Sequence, residues 1–256
     1  MKRKTKTKDK KSLILKIATA ASVLVMFVVN TLANTIPING MTTGAVSDSI
    51  KIFFVPAAYV FSIWGLIYLG IVLYLFLMFK KYENFDKKIS LWVIIGSLAN
   101  AGWIFLWHYE LIYSSVILML VLLGSLIAIH LEMNKEKVSI WKRLPFNIYL
   151  GWISVATVAN IAGALYLANW NGFGISGEIW SAIMIIIATT LGLIAAIKKN
   201  YAYTLVILWA LIGILVRFSG VSDIVAVTSL ITVILISVFF GIKLYIPNKD
   251  EKRRRK

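Results

Sequence analysis

The sequence predicts an all-α fold: a polytopic membrane helix bundle of about eight transmembrane helices. Composition is the first reason, since 60% of the 256 residues are hydrophobic and only 15% are charged. With a mean hydropathy of +0.84, this is not the balance of a water-soluble domain. The second reason is arrangement. The apolar residues fall in long blocks separated by short charged clusters, not in the ten-residue alternation of a membrane β-barrel. The third is charge. Lysines and arginines gather at residues 2–16, 80–88, 135–143, 198–199 and 243–256. If eight spans are drawn, every cluster falls on one side, and only Lys51 and Arg217 fall on the other. That is the positive-inside pattern, with both termini expected in the cytoplasm of a cell-membrane protein. One span more or fewer would scramble it.

The spans follow in order: Leu13–Ala33, Phe53–Phe79, Ile89–Trp107, Leu111–Leu131, Pro145–Ala168, Glu178–Ile197, Ala202–Phe218 and Ile224–Tyr245. Each approaches or exceeds the roughly 17–25 residues that cross a bilayer. A cleaved leader is the competing reading of the first span. Its length and the poor cleavage match at Asn30-Thr31-Leu32-Ala33 favour a retained helix. The longest loop opposite the basic clusters runs from Asn34 to Ile52 and carries Pro37, Gly40 and Gly44. It reads either as a lid over a cavity or as an ordinary surface loop. No internal repeat with two broken helices marks an inverted-repeat transporter.

The second span opens with Pro56 and then spaces Phe61, Trp64 and Tyr68 three and four residues apart, on one helical face. On the third, Asn100 and Trp103 stand three apart. On the fifth, Trp152, Ala156 and Asn160 stand four apart, with Thr157 alongside. Each helix thus shows an indole beside small or amide groups. Such asparagines either bond neighbouring helices or line a mostly apolar ligand site. Tryptophans concentrate before residue 181; Trp92, Trp141, Trp170 and Trp180 lie near expected interfaces, and spans seven and eight contribute only Trp209. No carboxylate sits mid-span, which counts against a proton- or sodium-coupled pump. His108 and His130 end their spans, where a solvated or hydrogen-bonded ring is the simpler reading than a metal or haem ligand. Cysteine is absent, so disulfide and thiol chemistry are excluded.

These motifs resemble the tryptophan-rich sensory protein / translocator protein family (TspO/MBR, the peripheral benzodiazepine receptors). That family's second helix carries a Pro-Pro-x-Trp-Val-Phe-x-x-Val-Trp-x-x-Leu-Tyr pattern. Pro56, Val60, Phe61, Trp64 and Tyr68 match it, while Ala57 stands at the second proline and Tyr59 at the first tryptophan. Ala99-Asn100-Ala101-Gly102-Trp103 is similar to the third-helix pattern, and Tyr149 to Asn160 to the fifth. The resemblance covers about residues 13–170 and leaves three spans outside it. Together with the charge clusters and apolar spans, it divides the chain into a basic tail (1–12), a TspO-like five-helix unit (13–170), three additional helices (171–246) and a second basic tail (247–256).

By the same resemblance, Pro56, Phe61, Trp64, Tyr68, Asn100, Trp103, Trp152, Ala156, Thr157 and Asn160 would line a cavity beneath the first loop. The ligand implied is a tetrapyrrole (a porphyrin or haem) or another flat hydrophobic molecule, and no cofactor or metal is required. The expected role is that of a sensor or receptor, carrier or scavenger. No nucleophile–base pair, metal cluster or phosphate loop suggests a hydrolytic enzyme, and breakdown of tetrapyrroles is a minor alternative. A transporter or permease subunit for a small hydrophobic molecule is the main alternative, and a partner subunit whose tryptophans only pack is another. Expected partners are the ligand and anionic lipid headgroups at the basic tails, not nucleic acid; a homodimer is open to this reading.

Overall fold

The computed structural model describes residues 2–245, with no side chains described for residues 2–9 or for residue 244. The basic stretch from residue 247 therefore lies outside the described residues. The described chain is helical, without strands. Its elements are α1 (Lys2–Thr35), α2 (Thr43–Ser49), α3 (Ile63–Lys80), α4 (Asn84–His108), α5 (Ile112–Lys135), α6 (Ile140–Leu167), α7 (Gly177–Ile197), α8 (Tyr201–Phe218) and α9 (Asp223–Tyr245). Eight stretches are long and apolar enough to cross a membrane, with only short α2 excepted. Large apolar side chains such as Leu69, Phe76, Ile117 and Ile231 stay on the outside of the protein. Water would not tolerate so much apolar surface, whereas lipid requires it. This is a polytopic membrane bundle.

Two compact units divide the chain. One holds the described residues up to Lys51 together with Phe61–Trp170; the other holds Ile52–Val60 together with the described residues from Asn171 onward. In the first unit α1 packs on α4, α4 on α5, α5 on α6, α6 on α3, and α3 back on α1. The five spans thus close into a ring. Small residues set the closest approaches, as expected where van der Waals contact replaces the hydrophobic drive. A Cβ at Gly96 of α4 would lie 2.6 Å from Ser125 Oγ of α5. Fully buried Ile67, Ile71, Tyr74 and Met78 give α3 its inward stripe.

The second unit is a three-helix cluster in which α7, α8 and α9 each touch the other two. The second span was expected from Phe53, but its helical part begins with a short 3₁₀ turn at Ala58. Pro56 cannot continue a helix upstream, and the backbone at Ala57 is committed elsewhere: its N–H donates to Gly213 O at 3.0 Å.

The long loop after α1 is not featureless. Thr42 caps α2 by accepting from Ala45 N at 3.2 Å. The loop is then tied to the end of α4: Asn39 Nδ2 donates to His108 O at 3.0 Å, and Trp107 Nε1 to Thr43 O at 3.3 Å. At the opposite end of the ring, Glu83 and Asp86 form a reciprocal capping box at the start of α4.

Candidate functional site

The first unit brings most of the motif residues into two linked layers. In one, α3 meets α6 through aromatic rings. Trp64 stacks on Tyr68 (centroids 5.6 Å, 26° between planes), and meets Tyr149 and Trp152 edge-on at 5.9 and 6.2 Å. Phe61 also meets Trp152 edge-on, at 5.6 Å. The spacing of Phe61, Trp64 and Tyr68 is what aligns them on this face of α3, and offset or edge geometry is what ring quadrupoles favour.

A buried amide sits against these rings. Asn100, fully buried on α4, accepts from Asn30 Nδ2 at 2.6 Å and donates to the Tyr149 hydroxyl at 2.9 Å. The Tyr149 hydroxyl in turn donates to Met26 Sδ at 3.7 Å. Three helices are joined here by one chain of side-chain hydrogen bonds. Asn30 and Tyr149 were absent from the expected site. A further asparagine near the end of the first span was the signal available for the former.

The other layer centres on Asn160 of α6. Its Oδ1 accepts from Trp103 Nε1 at 3.1 Å, and its Nδ2 donates to Ser115 Oγ of α5 at 2.9 Å. Trp103 stacks on Trp107 at 5.6 Å. His108, the last residue of α4, is fully buried, with Nδ1 2.8 Å from Ile104 O and Nε2 3.4 Å from Thr43 Oγ1. The second histidine, His130, has Nδ1 3.1 Å from Asn147 Oδ1 and Nε2 2.9 Å from Asn134 Nδ2. Neither ring therefore offers an open nitrogen to a metal. Among the described residues no group of three His, Asp or Glu side chains gathers around a common point.

Several buried polar groups lack a partner, among them the hydroxyls of Tyr74, Tyr82 and Ser229, and one such group lies in the aromatic layer. Trp152 is buried, yet its Nε1 has no hydrogen-bond partner. A buried N–H left unmade costs roughly 1–3 kcal/mol, so such a group is uncommon unless something else completes it. Thr157, by contrast, turns its hydroxyl back to Ile153 O at 2.7 Å, and Ala156 is half-buried. Pro56 groups with the second unit rather than with these residues. A cavity of about 10 Å³ lies between Met26, Gly96, Ser125 and Tyr149. That is room for one water at most, not for a macrocycle.

The basic end of the first unit carries a second polar cluster, which the sequence reading missed. Lys142 of α6 is buried, and its ammonium donates to Asp86 at 2.8 Å, Glu83 at 3.0 Å and Lys81 O at 2.9 Å. All three of its protons are used. Hydrogen bonds from Lys142 and then Lys81 hold the Glu83 carboxyl below the usual carboxylate range. Beside this cluster, a groove of about 510 Å³ runs between the start of α1 and the α3–α4 turn, lined by Lys11, Lys87, Glu83, Ser12, Asn84 and Tyr82 with an aliphatic wall from α1.

A family model described as TSPO-like protein matches residues 16–242. The motif resemblance stopped near residue 170, whereas this match runs on through α7 and α8 and into the last turn of α9. No curated protein and no solved structure matches the chain. The ring of five spans, the motif residues joined within it and the match over almost the whole length agree: the chain belongs to the TSPO-like protein family and is a multi-pass integral membrane protein of that type.

Proposed function

We propose that the first unit binds a flat hydrophobic ligand, a tetrapyrrole of the porphyrin or haem kind, against the Trp64–Trp152 aromatic layer. The protein would act as a sensor, carrier or scavenger of that ligand. The observation that carries this reading is the Trp152 indole N–H, buried among rings and lacking an acceptor. A macrocycle bearing carboxylates supplies both what the rings take, a π face, and what that N–H takes, an oxygen. Ring stacking contributes roughly 0.5–1.5 kcal/mol per pair beyond area burial. The Asn100–Tyr149 pair holds the neighbouring ring edge in place. With both histidine rings engaged elsewhere, binding rests on stacking and edge hydrogen bonds, and metal-free and metallated macrocycles should bind alike.

The basic clusters support a cell-membrane orientation with both termini on the cytoplasmic side, facing anionic headgroups. The groove lined by Lys11 and Lys87 offers two ammonium groups to such a headgroup, beside the Glu83 carboxylate that Lys142 and Lys81 already engage.

Titrating the purified protein in detergent with protoporphyrin IX, while following tryptophan fluorescence, tests the ligand reading. Saturable quenching is expected, with the Trp64→Phe/Trp152→Phe double variant weakening affinity about tenfold. Quenching that never saturates, or that is unchanged in the double variant, would remove the tetrapyrrole assignment.

A further inference from the structure

We propose that Trp209, Gly213 and Arg217 of α8 are positioning residues that hold the segment Ile52–Val60 and thereby fix where the span bearing Trp64 begins. The functional half of this proposal rests on the ligand reading above; the structural half does not.

Phe53 to Ala57 forms no helix, and the segment is largely buried: Phe54, Val55, Pro56 and Val60 all lie inside. Non-helical backbone in a membrane protein must find partners within the protein, because lipid offers none. Here α8 supplies them. Ala57 N donates to Gly213 O at 3.0 Å, Trp209 Nε1 donates to Val60 O at 3.2 Å, and Arg217 Nη1 donates to Pro56 O at 3.4 Å. Residues 209, 213 and 217 recur at four-residue spacing, so the three groups form a single stripe along α8. Tyr59 adds an edge-on contact with Trp209 at 5.3 Å, and Phe53 meets Phe218 at 5.6 Å.

Two sequence peculiarities find their reason in this stripe. Gly213 has to be glycine: a Cβ there would fall 2.2 Å from Val60 Cγ2 and 2.9 Å from Pro56 Cβ. Ala57, where the resembling family has a second proline, has to keep an N–H, because that proton goes to Gly213 O. Arg217 is also one of only two basic residues opposite the basic clusters, and a backbone carbonyl of the segment is one of its partners. The chain continues without interruption from Val60 to Phe61 and into α3. A hold on residues 52–60 is therefore a hold on the entry to the helix that presents Trp64. α8 thus acquires a specific task, gripping the segment that leads into the second span.

The experiment uses the full-length protein in detergent and two independent readouts. Backbone deuterium uptake is followed in peptides covering residues 52–60, and protoporphyrin IX affinity is followed by the ligand's own absorbance. The variants are Arg217→Gln, its conservative counterpart Arg217→Lys, Gly213→Ala, and Gly213→Ala combined with Val60→Ala, which removes the clashing methyl. Losing one hydrogen bond should speed exchange in 52–60 about fivefold in Arg217→Gln, with Arg217→Lys close to wild type. Gly213→Ala should speed it more, and Val60→Ala should restore much of the loss. Affinity should fall at least threefold in the same order, with the same two rescues. Exchange in 52–60 unchanged by Arg217→Gln and Gly213→Ala would overturn the hold itself. Faster exchange with unaltered affinity would overturn the positioning role. If the wild-type protein binds no porphyrin, the ligand reading fails, and the exchange readout alone decides the hold.

Discussion

The two units solve the same problem, packing helices in lipid, by different means. The five-span unit is wired: Asn30, Asn100 and Tyr149 bond across α1, α4 and α6, and Trp103, Asn160 and Ser115 bond across α4, α6 and α5. In the C-terminal unit most hydroxyls return to their own helix, as Thr189 does to Ile185 O, Thr190 to Ile186 O and Ser219 to Leu215 O. Thr204 is an exception, donating to Gly192 O on α7 at 3.0 Å. A wired bundle fixes particular side chains in particular places, which a binding site demands. A close-packed aliphatic cluster holds its helices mainly by shape, and its directed hydrogen bonds are spent on the backbone of residues 56–60. The family match covers both, so the contrast is internal to one architecture and not a fusion of unrelated parts.

The widest separation between the units should appear at Lys142. Replacing it with methionine keeps the volume but leaves Asp86 buried without its counter-ion. Removing one partner of a buried pair costs about 3–5 kcal/mol. Thermal denaturation of Lys142→Met in detergent should therefore show a large loss that no single hydroxyl deletion in α7–α9 approaches. The pH dependence has a definite sign. The carboxyl of Glu83 is held low by Lys142 and Lys81. Its contribution is present above the ordinary carboxylate range and is lost as pH falls through its lowered folded value. Because Lys142 also serves Asp86, the Glu83 part is isolated in Glu83→Gln: wild type should lose melting temperature on acidification across that window, and Glu83→Gln should show a shallower slope. An equal slope in the two proteins would detach Glu83 from this cluster.

A middle-sized effect is expected at Asn100. Asn100→Leu removes the acceptor of Asn30 and the donor to Tyr149 in one step. Interhelical hydrogen bonds in membranes are worth about 0.6–2 kcal/mol, and here two are lost. The denaturation midpoint should fall accordingly, and ligand affinity should fall with it, because Tyr149 is also an edge partner of Trp64. A stable protein with unchanged affinity would show that the amide is glue and nothing more.

Much of this architecture was legible in the chain, and the reasons differ from residue to residue. Hydropathy blocks and the side-by-side placement of basic clusters gave eight spans because membrane thickness and charge sidedness act on sequence directly. Spacing placed Phe61, Trp64 and Tyr68 on one face because the helical period is fixed. What spacing does not reveal is the partner across the gap. Asn30 joined Asn100 only once the ring order of α1, α4, α5, α6 and α3 was known. The burial of Lys142 was hidden for the same reason. A lysine near a helix start reads as a surface charge until Asp86 and Glu83 from the α3–α4 turn are seen to surround it. The stripe Trp209, Gly213 and Arg217 was also present in the sequence, at regular spacing. It carried no meaning without the segment Ile52–Val60 laid along it, and an apolar run opening at Phe53 gave no sign that its first residues were not helical.

The finest test of the contrast lies within the C-terminal unit itself, between Thr190 in the interior of α7 and Thr204 in the first turn of α8. Thr190 is exposed on the outer surface and bonds its own helix at 2.9 Å; Thr204 is fully buried and reaches another helix. Thr190→Val should be neutral within about 0.5 kcal/mol, since a surface substitution that breaks no contact between helices changes little. Thr204→Val should cost about 0.6–1.7 kcal/mol, the range of single interhelical bonds. Paired melting curves separate the two. If both variants match wild type, α7 and α8 are held by shape alone, and the contrast between the units is sharper than drawn. If Thr190→Val proves the costlier, surface position and bond direction no longer explain stability here, and the division into a wired unit and a packed one would have to be abandoned.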